Sequence, residues 1–124
     1  MMLSLVAIPS ITGSDGGEDR CARFIHDWLA RIPYFKENSD ALSLVALEGD
    51  SLGRKSVFAL LRAARPTHRT VILTGHFDVV DVDVCGSLRR WAFDPEAYTR
   101  RVGELELPAD ARRDLESGNY LFGR

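Results

Sequence analysis

The residues of this chain best suited to metal binding or acid/base catalysis are His76 and Asp78, which lie two positions apart. A neutral imidazole is a good zinc ligand, and a nearby carboxylate can orient the ring and raise its basicity. The same pair could serve in acid/base chemistry. A catalytic zinc needs about three protein ligands, and Asp81, Asp83 and Cys85 follow without a ligand spacing. A metal site, an acid/base site and a buried histidine that hydrogen-bonds to a carboxylate therefore all remain open.

The element that must position this pair is the run that precedes it, Thr70–Thr74, which is followed by Gly75. A continuous run of β-branched and aliphatic residues bounded by a turn residue is typical of a strand covered on both faces, as in a parallel α/β sheet. Ligands of such sheets bind beyond the carboxyl ends of the strands. We therefore predict that His76 and Asp78 lie at the carboxyl end of a buried strand.

An amphipathic helix is the element that the sequence determines best. A polar loop, Ser10–Gly17, leads into it, and Asp15 with Glu18 resembles a capping pair. Pro33 is predicted to end it. Its apolar residues recur at steps of three and four, which predicts one stripe packed on a sheet: Cys21, Phe24, Ile25, Trp28, Leu29 and Ile32.

Shorter elements fill the rest of the chain. Turn residues between two apolar runs, about 42–47 and 56–62, predict a hairpin with a long loop. Short helices are predicted near Asp94-Pro95 and after Pro108, the second ending at Gly118, because proline favours the first helical position and glycine the end. The last residues, 119–124, could begin a further strand.

Composition excludes several classes of protein. The 124 residues fit one domain, and 45% hydrophobic with 27% charged residues is typical of a soluble globular protein. A net charge of −2 gives no reason to expect nucleic acid or membrane as a partner, and no run approaches the ~20 apolar residues of a membrane span. Two cysteines without a Cys-x-x-Cys pair favour a reducing, cytoplasmic setting.

Several motifs in order resemble the amino-terminal part of a known family. The string Val6–Gly13, the amphipathic helix after it and Gly75–Val80 are similar to the dinuclear-zinc peptidase and deacylase family. That family includes acetylornithine deacetylase, succinyl-diaminopimelate desuccinylase, aminoacylase and glutamate carboxypeptidase. The finer match is to its arginine-utilisation (RocB-like) branch, and it is carried by Leu52–Leu60, Gly75–Val82, Ala92–Glu96 and Asp114–Arg124.

The resemblance implies a fold and a set of site residues. Residues 1–124 would be the amino-terminal part of a zinc-aminopeptidase-like α/β catalytic domain, a mixed sheet flanked by helices, without the inserted lid or dimerisation domain. His76 would bind one of two zinc ions, and Asp78 would be the catalytic aspartate that orients the imidazole. Gly123-Arg124 matches the opening of the motif whose aspartate bridges the metals. In members of this family, the other metal ligands and the general base lie later in the sequence.

The function implied is that of a zinc-dependent hydrolase that cleaves an amide bond of an acylated amino acid or small peptide, linked to arginine utilisation. We expect the 124-residue fragment itself to bind no zinc stably and to be inactive. The alternatives are a metal-free α/β binding or assembly module, and an unrelated domain in which His76 and Asp78 are structural and buried. Because a truncated sheet exposes unpaired edges, we also expect self-association.

Overall fold

The computed structural model describes residues 1–14 and 16–122, which form two units. The hairpin unit is Ser10–Asp78, and the helical unit is Met1–Pro9 with the chain from Val79 onward. Five α-helices and one small antiparallel sheet confirm the α/β class for the described residues. The elements are α1 Met2–Val6, α2 Gly17–Leu29, α3 Pro33–Glu37, β1 Leu42–Ala46, β2 Lys55–Ala59, α4 Pro95–Val102 and α5 Ala109–Ser117.

The predicted amphipathic helix is α2, which packs on both strands of the hairpin unit. Cys21 is buried, as predicted for a stripe residue, whereas Trp28 near the end of the helix remains partly exposed. The helix ends at Leu29, three residues before the predicted end. Ile32 is extended, since a residue before proline avoids the helical region, and Pro33 begins α3 instead of only ending α2.

The predicted hairpin is formed by β1 and β2, with Leu42 opposite Ala59 and Ala46 opposite Lys55. Its core is centred on buried side chains against which residues of α2 and α3 pack: Phe35, Ala41 and Leu42. The loop between the strands is closed by Asp50. Its carboxylate accepts hydrogen bonds from the backbone N–H of Arg54 at 2.7 Å and from the guanidinium at 2.8 and 3.0 Å.

The predicted strand Thr70–Thr74 is wrong, because these residues form no strand. The sheet found in the described residues contains β1 and β2 alone. Val71, Ile72 and Leu73 are 83%, 83% and 92% exposed. Strand propensity depends on packing against neighbouring strands, and no described segment pairs with this one. His76 and Asp78 thus follow an exposed, irregular segment and not the end of a buried strand.

The helical unit contains the two short helices predicted from Pro95 and Pro108. The Asp94 side chain caps α4 by accepting a hydrogen bond from the Ala97 N–H at 3.0 Å. Gly118 ends α5 in the left-handed conformation, with φ of 67°, a region that L side chains disfavour. A 3₁₀ segment, Asp83–Trp91, precedes α4 and bends at Gly86. Residues 119–122, predicted as part of a strand, are irregular.

Two predicted features lie outside the described residues: the Asp15 half of the capping pair, and the Gly123-Arg124 match to the bridging-aspartate motif. The described start of α2 has Gly16 as its N-cap, with φ of 71°. Within residues 1–14 and 16–122, no helix is long and apolar enough to cross a membrane.

Candidate functional site

The His76–Asp78 pair forms a short hydrogen-bonded turn at the end of the hairpin unit. The Nδ1 atom of His76 lies 3.0 Å from Asp78 Oδ1 and 3.1 Å from the backbone oxygen of Asp78. An ionised carboxylate and a backbone carbonyl only accept hydrogen bonds, so Nδ1 must donate. The neutral ring then has its lone pair on Nε2, and no described residue provides a hydrogen bond to that atom.

The exposure of the two side chains differs. His76 is 85% exposed, whereas Asp78 is 38% exposed. The imidazole therefore presents Nε2 to the surroundings, and the carboxylate that orients it is less exposed than the ring. A ring with one nitrogen bound to a carboxylate and the other open has the form of a metal-ligating histidine. A buried structural histidine would have been enclosed, and this one is not.

A loop more than sixty residues earlier in the chain holds the turn in place. Ser10 Oγ donates to the backbone oxygen of Phe77 at 2.5 Å, and Thr12 Oγ1 donates to Asp78 Oδ2 at 3.0 Å. The two carboxylate oxygens of Asp78 thus have different donors, Thr12 on one and His76 on the other. This arrangement fixes both the position of the turn and the plane of the carboxylate.

These hydrogen bonds also set the ionisation of the aspartate. The hydrogen bond from Thr12 lowers the pKa of Asp78 most, and the hydrogen bond from His76 lowers it further. Asp78 is therefore ionised at neutral pH. An ionised carboxylate on Nδ1 keeps the proton on that nitrogen and makes Nε2 a better electron-pair donor.

The loop is in turn fastened to α2. The backbone N–H of Gly13 donates to Glu18 Oε2 at 3.2 Å, and Glu18 is buried in the first turn of the helix. Ser10 is 3% exposed and its hydroxyl also interacts with the Cys21 thiol, whose pKa is raised by burial. The amphipathic helix consequently supports the loop, and the loop supports the His76–Asp78 turn.

Sequence reasoning identified His76 and Asp78 but missed the roles of Ser10 and Thr12. Both belong to the string Val6–Gly13 that carries part of the family resemblance and to the predicted polar loop Ser10–Gly17, and neither prediction gave them a contact with the site. Hydroxyl residues in a Gly-rich loop are common, and nothing in their spacing indicates a partner 66 or 67 positions away.

The donor set for a metal is incomplete in this part of the chain. The described residues contain no group of three or more histidine, cysteine, aspartate or glutamate side chains that could hold a metal ion. Asp81 accepts a hydrogen bond from the Asp83 N–H at 2.8 Å, and Asp83 pairs with Arg89 at 3.8 Å. The chemistry of His76 and Asp78 fits one oriented ligand, and no group of three such donors forms among residues 1–14 and 16–122.

Comparison with known proteins gives two curated relatives from Bacillus subtilis (strain 168). The chain is 35% identical over 121 residues to Protein RocB, which is 98% of this chain and 21% of RocB. It is 36% identical over 126 residues to the uncharacterized protein YqjN, covering 100% of this chain and 22% of YqjN. No family model matches, and no solved structure matches. The chain is thus similar along nearly all of its length to RocB and YqjN, and it spans about a fifth of the length of either.

Proposed function

We propose that this chain provides the first histidine ligand of a RocB-like, zinc-dependent hydrolase, with Asp78 as the catalytic aspartate that orients it. The observation that carries the proposal is the His76–Asp78 turn, in which Nδ1 is bound to an ionised carboxylate and Nε2 is open. A carboxylate–histidine pair of this form is what zinc sites use. The relatedness to RocB and the motifs of the dinuclear-zinc peptidase and deacylase family support the same reading.

The substrate class follows from that family resemblance. The complete enzyme would hold two zinc ions and cleave an amide bond of an acylated amino acid or small peptide, in arginine utilisation. Zinc would polarise the scissile carbonyl and activate water. In this chain, Thr12 and Asp78 would keep the proton of His76 on Nδ1 and aim Nε2 at the metal. Cysteine usage favours the cytoplasm as its setting.

Residues 1–124 would be a partial catalytic domain, and the chain alone would be inactive. A dinuclear site needs several more carboxylate and histidine ligands, and the described residues bring no three donors together. The missing ligands and the general base would lie in the part of RocB that this chain does not match, about four fifths of that protein.

A chimera tests the proposal. In RocB, this chain replaces the segment of 121 matched residues, and zinc binding is measured by calorimetry and by metal content. We expect about two tightly bound zinc ions per chimera, loss of at least one with His76→Ala, and a 10- to 100-fold weaker affinity with Asp78→Asn. His26→Ala is the matched control, since His26 Nδ1 also lies beside an aspartate, Asp27, at 3.1 Å.

The zinc-binding results for the chimera and for RocB distinguish the proposed function from its alternatives. A folded chimera that binds no zinc while RocB does would show that this segment is not a metal-binding one. Absence of zinc from RocB itself would withdraw the hydrolase assignment in favour of a metal-free binding or assembly module. Because the chimera could fail to fold, nitrogen-15 NMR of the present chain gives a second test: His76 should carry its proton on Nδ1, and a proton on Nε2 would contradict the geometry.

A further inference from the structure

A buried carboxylate that the proposed mechanism does not use lies in the first turn of α2. Glu18 is 7% exposed, and burying a carboxylate is costly unless hydrogen bonds compensate it. In a capping box, a glutamate of the first turn accepts a hydrogen bond from the backbone N–H of the N-cap residue, which here is Gly16. Glu18 instead accepts from the Gly13 N–H at 3.2 Å, outside the helix. Its side chain therefore holds the loop that precedes the helix.

The start of β2 keeps this first turn in place. Lys55 forms an ion pair with Asp19, the residue after Glu18. The residue before Lys55, Arg54, has its pKa raised most by its hydrogen bond to Asp50 and less by the charge of Glu18. A positive charge near a buried carboxylate reduces the cost of burying it. The packing of α2 on the hairpin thus fixes the position from which Glu18 reaches the loop.

The loop that Glu18 holds leads directly to the site. Gly13 follows Thr12, whose hydroxyl donates to Asp78 Oδ2 at 3.0 Å. The other carboxylate oxygen, Asp78 Oδ1, lies 3.0 Å from His76 Nδ1. Each of these hydrogen bonds fixes the group that makes the next one. A change at Glu18 can therefore reach the imidazole without removing any of its direct partners.

We propose that Glu18 is a positioning residue of the site, which sets the tautomer and direction of the His76 ring by holding Thr12 against Asp78. Glu18 acts through the reach of its side chain to the Gly13 N–H, and its charge is not required for this. The consequence for zinc rests on the proposed function, whereas the effect on the ring is measured in the chain without metal.

Two substitutions separate reach from charge. Glu18→Gln keeps the length of the side chain and an oxygen that accepts from Gly13, and it removes the charge. Glu18→Asp keeps the charge and shortens the side chain by one methylene. Nitrogen-15 NMR at alkaline pH, where histidine is neutral, measures the ratio of the two His76 tautomers. We expect Glu18→Gln to keep the wild-type ratio, and Glu18→Asp and Glu18→Ala to lower the ratio of Nδ1–H to Nε2–H about threefold, since a supporting hydrogen bond is lost.

Asp19→Ala is the matched control, because it removes the neighbouring carboxylate of the same turn. Asp19 accepts from Arg23 at 2.7 Å and pairs with Lys55, and both partners lie outside the loop. This substitution should lower stability in thermal unfolding and leave the His76 tautomers unchanged. A shift in Glu18→Gln with none in Glu18→Asp would overturn the inference, and so would equal shifts in Asp19→Ala and Glu18→Asp. Glu18→Asp keeps a carboxylate at the start of the helix, so the comparison stands even if Glu18→Ala does not fold.

Zinc binding by the RocB chimera provides the second measurement. We expect Glu18→Asp to weaken the zinc affinity about tenfold and Glu18→Gln to leave it unchanged. Equal affinities of these two chimeras would overturn the inference. If the unsubstituted chimera bound no zinc, the proposed function would fail, and the tautomer ratio of the metal-free chain would still decide the role of Glu18.

Discussion

Replacing Ser10 by alanine should weaken the hairpin unit and release the His76–Asp78 turn. The Ser10 hydroxyl donates to the Phe77 backbone oxygen at 2.5 Å and is itself 3% exposed. A neutral hydrogen bond contributes about 0.5–1.5 kcal/mol net, and an acceptor left unsatisfied costs about 1–3 kcal/mol. Phe77 is only half-buried, so water can partly replace the lost donor. We therefore expect a loss of about 1–2 kcal/mol.

Urea denaturation followed by circular dichroism measures this loss. With a slope of about 2 kcal/mol per molar urea, a typical value for a small protein, the midpoint should fall by about 0.5–1 M. All variants are compared at one low protein concentration, so that self-association does not alter the comparison. Ser14→Ala is the matched control. Its hydroxyl donates to the Ile11 carbonyl at 2.7 Å within the same loop and does not reach the turn.

The NMR signals of the site residues also distinguish the Ser10→Ala variant from the Ser14→Ala variant. In Ser10→Ala the NMR signals of His76 and Asp78 should shift, because their turn has lost one of its two attachments to the loop. In Ser14→Ala these signals should stay in place. An unchanged midpoint for Ser10→Ala, or an equal loss for Ser14→Ala, would refute the idea that Ser10 anchors the turn.

Three further results are expected. Thr12→Val should raise the pKa of Asp78 in an NMR titration, because Thr12 donates the hydrogen bond that lowers it most, and Thr12→Ser should restore the low value. Hydrogen bonds from the Arg54 guanidinium and from the Arg54 backbone N–H lower the pKa of Asp50 from 3.8 to about 2, so the stability that this pair adds should be present above pH ~4 and fall as the pH drops toward 2. Arg54→Gln removes only the guanidinium, so it should weaken that pH dependence in acid denaturation, and an unchanged dependence would contradict this. Gly118→Ala should lower stability by about 1 kcal/mol in thermal unfolding, because φ is 67° at this position and an L side chain disfavours that conformation. An added Cβ would meet no neighbouring atom, so the loss would come from the backbone alone. A neutral result would show that α5 can end in another conformation.

Local patterns predicted the elements that depend on local interactions. The stripe from Cys21 to Ile32 identified α2 because a helix satisfies its own backbone, although Cys21 is the stripe residue that the helix buries and Trp28 stays partly exposed. Turn residues identified the β1–β2 hairpin because its two strands are neighbours in the sequence and pair with each other. The end of α2 was misplaced by three residues, since Pro33 restricts the residue before it as well as ending a helix.

The features that were not predicted depend on distant partners. Thr70–Thr74 has strand composition, but a strand exists only beside another strand, and composition does not reveal whether one is present. In the site, His76 and Asp78 are two positions apart, so their contact could be predicted from spacing. Ser10 and Thr12 reach the turn across more than sixty residues, and a single sequence offers no local signal for that contact.

The attachment of the turn to the Ser10–Ser14 loop has a consequence for how the site assembles. Joining ends about 66 residues apart costs a loop-closure entropy of about 4 kcal/mol on a chain-statistics estimate, more than the hydrogen bonds concerned return. The packing of α2 and the hairpin must therefore form first and bring the ends together. Much of the closed loop is exposed chain, residues 58–76. A single proteolytic cut before His76 would make closure a bimolecular event, and the His76–Asp78 turn would lose its attachment to Ser10 and Thr12 although no residue of the site had been removed.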